Sequence, residues 1–167
     1  MSWPTCRRSV VAEPGGPVNL RIDLHSQAFE PLRCLEQWQR SLSGQDHAGS
    51  AAESLFIGRV RAEAAAGGAL VALELEHYPG MTERQLHHLA SDCCARHGVS
   101  SCLVQHRIGR VLPGEAIVLV AIGADRRGPA QRCCQELLEA LKHEAPFWKR
   151  EWHADGSSAW ITGNTAL

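Results

Sequence analysis

Two segments of this chain place their apolar residues, two adjacent cysteine pairs among them, at helical spacing. That pattern restricts the fold more than any other feature. One stripe runs Leu86, Leu89, Ala90, Cys93, Cys94 and His97; the other runs Ala130, Cys133, Cys134, Leu137, Leu138 and Leu141. Steps of three and four residues put each set on one face of an α-helix, so each helix has one side to bury. Free cysteine packs as a small hydrophobe, which assigns these thiols to a core. The chain has seven cysteines, an odd number, and no Cys-x-x-Cys spacing. A zinc site using Cys93 or Cys94 with His97, in the His/Cys-rich helix that also holds His87 and His88, is the minor alternative, and no metal is expected. Cys102 and His106 share a strand face but stand about 13 Å apart along it, too far for a thiolate–imidazole pair.

Between the helices, alternating or apolar runs predict strands over 18–24, 54–61, 70–76, 101–108 and 116–122. Residues 147–153 and 158–162 read as a hairpin around Asp155-Gly156. A short helix over 31–42 is opened by Pro31, and 41–50, rich in Ser, Gly, Asp and His, is a loop. The small-residue segment 62–68 is a second loop. Tyr78-Pro79-Gly80-Met81 is a turn, Thr82 and Gln85 form a capping box, and Gly98 stops the helix that follows. The last helix is expected to begin with Pro129 at its first position and to end before Pro146. The resulting order, β-α-β-β-α-β-β-α-β-β, describes an α+β fold.

At 167 residues the chain is long enough for one domain with a real core. The expected division is a loose leader over 1–17, a domain over 18–162 and a tail over 163–167. A formal net charge of −1 provides no global basic field, so bulk attraction to nucleic acid or membrane is not indicated and any anion site must be local. No run approaches the roughly 20 apolar residues that span a bilayer, and residues 1–12 lack the apolar core of a secretory signal. The cytoplasm is the expected location.

Chemistry is marked by lysine usage. Of seventeen cationic side chains only Lys142 and Lys149 are lysines, seven residues apart around Ala145-Pro146-Phe147-Trp148. A lysine ammonium exchanges its proton once burial lowers its pKa, whereas a guanidinium does not. Phe147 and Trp148 argue for partial burial of Lys149. Lys142, in the last turn of a helix, equally fits a surface residue that complements the helix dipole. Arg126-Arg127-Gly128-Pro129 opens the same helix, where free N–H groups and two guanidiniums fit either an anion site or a solvated loop. Arg59 and Arg61 are expected on one face of a strand, a further anion signal. Arg127 and Lys142 are fifteen residues apart, hence about 22 Å along the helix axis. They cannot hold one small ligand within one chain, and a symmetric homodimer with shared sites is favoured.

The chain resembles the large, catalytic subunit of molybdopterin synthase, the MoaE family, over residues 18–162. The likeness is carried by Leu73-Glu74-Leu75-Glu76-His77-Tyr78-Pro79-Gly80-Met81-Thr82, by His106-Arg107-Ile108-Gly109, and by Leu141-Lys142 through Ala145-Pro146-Phe147-Trp148-Lys149-Arg150-Glu151. Phe56-Ile57-Gly58-Arg59-Val60-Arg61 and Asp155-Gly156 to Trp160 also fit. The resemblance implies an α/β-hammerhead-containing α+β fold that dimerises and binds no metal for its reaction. It implies a small ubiquitin-like sulfur-carrier partner whose C-terminal Gly-Gly thiocarboxylate delivers sulfur to cyclic pyranopterin monophosphate. Two such transfers build the molybdopterin dithiolene. By position, the family's essential lysines fall on Lys142 and Lys149 and its substrate arginine on Arg61, with Arg59, Arg126, Arg127, Arg150 and Glu151 as further binding residues. A usual His-Arg pair is here Arg126-Arg127, a fixed cation in place of a group that titrates near neutrality. That departure keeps a second reading in view, a non-catalytic paralogue that binds the carrier or a pterin phosphate.

Overall fold

The computed structural model describes residues 18–43, 50–65 and 67–161. The expected leader and tail, Cys6, the middle of the 41–50 loop, Ala66 and Thr162 lie outside them. The elements in order are β1 (Asn19–His25), α1 (Pro31–Ser43), β2 (Ala52–Arg59), β3 (Leu70–His77), α2 (Met81–His97), β4 (Ser101–Arg107), β5 (Gly109–Val111), β6 (Ala116–Ala124), α3 (Arg127–His143), β7 (Phe147–His153) and β8 (Ser158–Trp160).

Two four-stranded sheets organise the chain. The first has the order β1-β4-β6-β2, with β1 parallel to β4 and the other pairs antiparallel. Its central strands are buried on both faces, so their alternation separates two cores rather than core from solvent. Cys102, Val104, Val120 and Ile122 face the α2 and α3 stripes, where Leu86, Cys93, Cys94, Cys133, Cys134 and Leu137 are buried. Leu103, Leu119 and Ala121 face the opposite way, against Leu35 and the fully buried Trp38 of α1. The two cysteine-bearing stripes thus meet one sheet face, and all four of those thiols are free and buried.

The second sheet has the order β5-β3-β7-β8. It covers a smaller core of Val60, Ala64, Leu70, Leu73, Leu75 and Val111. Phe147, the first residue of β7, packs against both this core and the α2/α3 core, so it fixes the second sheet to the helices.

Local departures from the expected elements have physical causes. The strand expected over 101–108 ends at Arg107 and the chain enters the second sheet as β5; Gly109 opens β5 at φ 71°, a region that glycine enters without steric cost. The helix α2 starts two residues earlier than a Thr82 cap requires. Gly80 is its N-cap, and the Glu83 carboxylate accepts the Gly80 N–H at 2.5 Å. Thr82 lies within the helix instead, buried, with its hydroxyl oxygen accepting the Tyr78 N–H at 3.1 Å. The helix α3 starts at Arg127, which leaves Pro129 in the first turn, where its missing N–H is not needed. The strand β2 stops at Arg59, with a register shift between Gly58 and Arg59. Gly58 is required beside it, because a Cβ there would stand 2.9 Å from Val118 Cγ1.

Candidate active site

The two lysines are brought together by the turn between α3 and β7. The helix ends at His143, the strand begins at Phe147, and the Phe147 N–H donates to the Ala145 carbonyl at 2.8 Å. Both lysines are half-buried. Burial depresses the Lys149 pKa, and the positive charge of Lys142 depresses it further. Both effects make the Lys149 ammonium a stronger acid, readier to give up its proton.

The two aromatic neighbours named in the sequence stand differently towards Lys149. Side chains alternate along β7, so Phe147, Lys149 and Glu151 share one face and Trp148 lies on the other, 50% exposed. Phe147 stacks flat on His106 of β4, with ring centroids 4.2 Å apart and planes 6° from parallel. His106 Nδ1–H donates to the Arg107 carbonyl at 2.7 Å. Burial and the nearby Lys149 charge lower its pKa from 6.5 to about 4. A neutral ring with its Nδ1 proton committed keeps Nε2 as an acceptor. His106 is therefore part of the lysine cluster, which strand parity alone did not indicate. The available signal was an imidazole on the strand face that it shares with the apolar Cys102 and Val104.

The arginines are distributed differently. Arg59 donates to the Gly114 carbonyl at 3.0 Å, and the exposed Arg61 lies beyond the end of β2. The strand expected over 54–61 thus ends at Arg59, and the two arginines are exposed on either side of the buried Val60. Arg126 and Arg127 are exposed at the N-terminus of α3, at the opposite end from Lys142. Arg150 points away from Lys149. Its guanidinium pairs with Glu74 at 3.2 Å and Glu76 at 2.8 Å and lies over the rings of Trp152 and Trp160 at 5.2 and 4.5 Å. Glu151 is buried, and its carboxylate accepts the Ala65 N–H at 3.0 Å, which ties the 62–65 loop to the second sheet. Within one chain the structure assembles Lys142, Lys149, His106 and Phe147, and leaves Arg126 and Arg127 at the far end of α3.

The sequence profile of the MoaE protein family matches residues 27–144. A molybdopterin synthase catalytic subunit from Caulobacter vibrioides is 39% identical over 140 residues, which span 84% of this chain and 87% of that protein. The chain belongs to the MoaE family of molybdopterin synthase catalytic subunits. A solved MoaE protein from Burkholderia ambifaria superposes with a TM-score of 0.66 at 35% identity, over 87% of this chain and 89% of that one. The fold is also similar to one in a complex of subunits 1 and 2 of the molybdopterin-converting factor from Helicobacter pylori, with a TM-score of 0.65 at 20% identity, over 84% and 88% of the two chains. The α+β fold of this MoaE chain agrees with these structures. Among the described residues no helix is long and apolar enough to cross a membrane.

Proposed function

We propose that this chain transfers sulfur from a thiocarboxylated small carrier subunit to cyclic pyranopterin monophosphate, forming the molybdopterin dithiolene at a site shared by two copies of the chain. The reading rests on one observation above others: Lys142 and Lys149 converge across the α3–β7 turn, and the second is held below its ordinary pKa by burial and by the first. The substrate phosphate and the carrier thiocarboxylate are both anions. Two ammonium groups at a partly water-excluded site stabilise them more strongly than surface charges could.

Each residue has a role in this scheme. Lys142 lies beside the incoming diglycine tail and orients the sulfur nucleophile. Lys149 protonates the leaving oxygen or holds the phosphate as its ring opens. His106 and Phe147 form an uncharged wall behind the lysines. Arg61, with Arg59 behind it, and Arg126 and Arg127 of a second copy bind phosphate and pterin. No cysteine acts as nucleophile, because sulfur arrives on the carrier. The neighbour crystallised as a two-subunit complex supports the carrier partner. The cytoplasm is the proposed location.

Subunit complementation tests the shared site. A Lys149→Ala chain and an Arg126→Ala/Arg127→Ala chain are each expected to be nearly inactive with thiocarboxylated carrier and precursor. Mixed by subunit exchange, they regain dithiolene formation, because one of the two sites in a mixed dimer is whole. Exchange without recovery of activity would place all site residues in one chain.

A further inference from the structure

We propose that the cleft between α2 and α3 holds a divalent metal of the zinc class, bound by Cys93, His97 and Glu136. The Cys93 thiol, a His97 ring nitrogen and a Glu136 carboxylate oxygen lie within 4.8 Å of one another. That separation lets one ion reach all three with small side-chain movements, since zinc bonds to sulfur, nitrogen and oxygen are about 2.0–2.3 Å long. Cys93 and His97 are one helical turn apart on α2, and Glu136 comes from α3, so the helix pair already fixes the positions of the donors. Thiolate, imidazole and carboxylate together select zinc-like ions over magnesium or calcium, which take oxygen ligands.

The surroundings supply an entry path and further ligands. His97 and Glu136 line a depression of about 350 Å³ together with Arg132, Gln135 and Glu139, and Cys93 lies near both of them, fully buried. The Cys133 sulfur stands 3.7 Å from that of Cys93, close to the spacing of two thiolates on one tetrahedral ion. Either Cys133 or water completes four coordination. Glu136 is already oriented. Its Oε1 is held by Arg96, and its Oε2 faces His97 Nε2 at 2.5 Å, the edge at which an ion would enter. Arg96 then acts as the outer partner that fixes a ligating carboxylate.

Proton balance is explicit. In the metal-free chain the Cys93 thiol donates to the Cys133 carbonyl at 3.5 Å, and its hydrogen bonding and burial keep it protonated. Binding forms the metal–sulfur bond and expels that proton to solvent. The ion also takes the place of the proton between His97 Nε2 and Glu136 Oε2; the ring keeps or gains its proton at Nδ1. No oxidant or reductant takes part.

The test uses the full untagged chain, reduced and stripped with chelator, then titrated with Co²⁺. One equivalent should develop a thiolate-to-cobalt charge-transfer band with the intense visible bands of four-coordinate Co²⁺, and Zn²⁺ should bleach both. Cys93→Ser should abolish the charge-transfer band if water is the fourth ligand and reduce it by about half or more if Cys133 is, while His97→Gln and Glu136→Gln should each weaken binding about tenfold or more. Circular dichroism checks that all three variants fold; the other two changes, at half-buried side chains, carry the test if Cys93→Ser does not fold. No charge-transfer band, or affinity unchanged in both His97→Gln and Glu136→Gln, would overturn the site.

Discussion

The two faces of β7 handle positive charge in opposite ways. On one face Arg150 is neutralised by Glu74 and Glu76 and sandwiched on two indoles, an arrangement that locks a cation in place. On the other, two residues or fewer away along the chain, Lys149 is half-buried beside Lys142, with the neutral His106–Phe147 stack behind it. Adjacent residues of one strand thus receive a cation locked by counter-ions and, on the proposed reading, a chemical one. The residue types fit: a guanidinium stays charged and stacks well, while an ammonium yields its proton when its surroundings discourage charge. Changing one face should alter reactivity, and changing the other should alter stability.

The largest effect expected is on Lys149. Lys149→Ala should lower turnover by about 10²-fold or more with the melting transition retained, the usual span for losing a positioned acid or base. Lys149→Arg sharpens the comparison, because it restores charge without an exchangeable proton, and it should recover little. Recovery by arginine in a sulfur-transfer assay would reduce the role of Lys149 to electrostatics.

Lys142→Ala should also reduce turnover, and in addition it should move a titration. Lys142 contributes part of the depression of the Lys149 pKa, so its removal lets that pKa rise towards the ordinary lysine value. The limb of the pH–kcat profile that belongs to Lys149 should therefore shift to higher pH in the variant. An unmoved limb would mean that the two ammonium groups are not coupled in the working enzyme.

His106 gives the next effect, on stability. Its folded pKa of about 4 lies below the ordinary 6.5, so between these values the unfolded chain binds more protons than the folded one. Stability contributed by the buried neutral ring is complete above pH 6.5 and is lost as pH falls towards 4. The span corresponds to about 3 kcal/mol. Denaturant midpoints measured across that range should be flatter for His106→Phe, which keeps an aromatic partner for Phe147 but cannot take up the proton. Equal slopes in both proteins would assign the acid sensitivity elsewhere.

Much of this was legible in the chain, for reasons that differ by region. The α2 and α3 stripes bury one face each, so period alone placed Cys93, Cys94, Cys133 and Cys134 in the core. The lysine pair was visible because composition isolates it and Pro146 forces the turn that brings it together. Less was legible where geometry is decided across sheets. Trp148 neighbours Lys149 in sequence but not in space, a consequence of strand parity. Arg61 fell outside β2 because the strand ends at Arg59, next to a register shift in its pairing with β6 that no local pattern encodes. His106 joined the site only because β4 and β7 belong to different sheets and meet through Phe147. Glu136 next to Cys93 and His97 required the packing of two helices, which no local pattern encodes.

Arg150 gives the smallest effect and the clearest check on the two-face comparison. Arg150→Ala removes two ion pairs that are partly exposed and two cation–π contacts, and it leaves Glu74 and Glu76 close together without their shared counter-ion. Partly exposed pairs contribute modestly, so a loss of about 1–2 kcal/mol in unfolding free energy is expected. High salt should narrow the gap between variant and parent, since screening weakens the pairs in the parent and the Glu74–Glu76 repulsion in the variant. Turnover of the folded variant should fall far less than in Lys149→Ala. If kcat instead drops as steeply while stability holds, the guanidinium reaches the substrate in the assembled enzyme, and the division of labour between the faces of β7 fails. Arg150→Lys separates the contributions further. It keeps one charge for Glu74 and Glu76 but loses the planar stacking on Trp152 and Trp160, so it should fall between parent and alanine in stability.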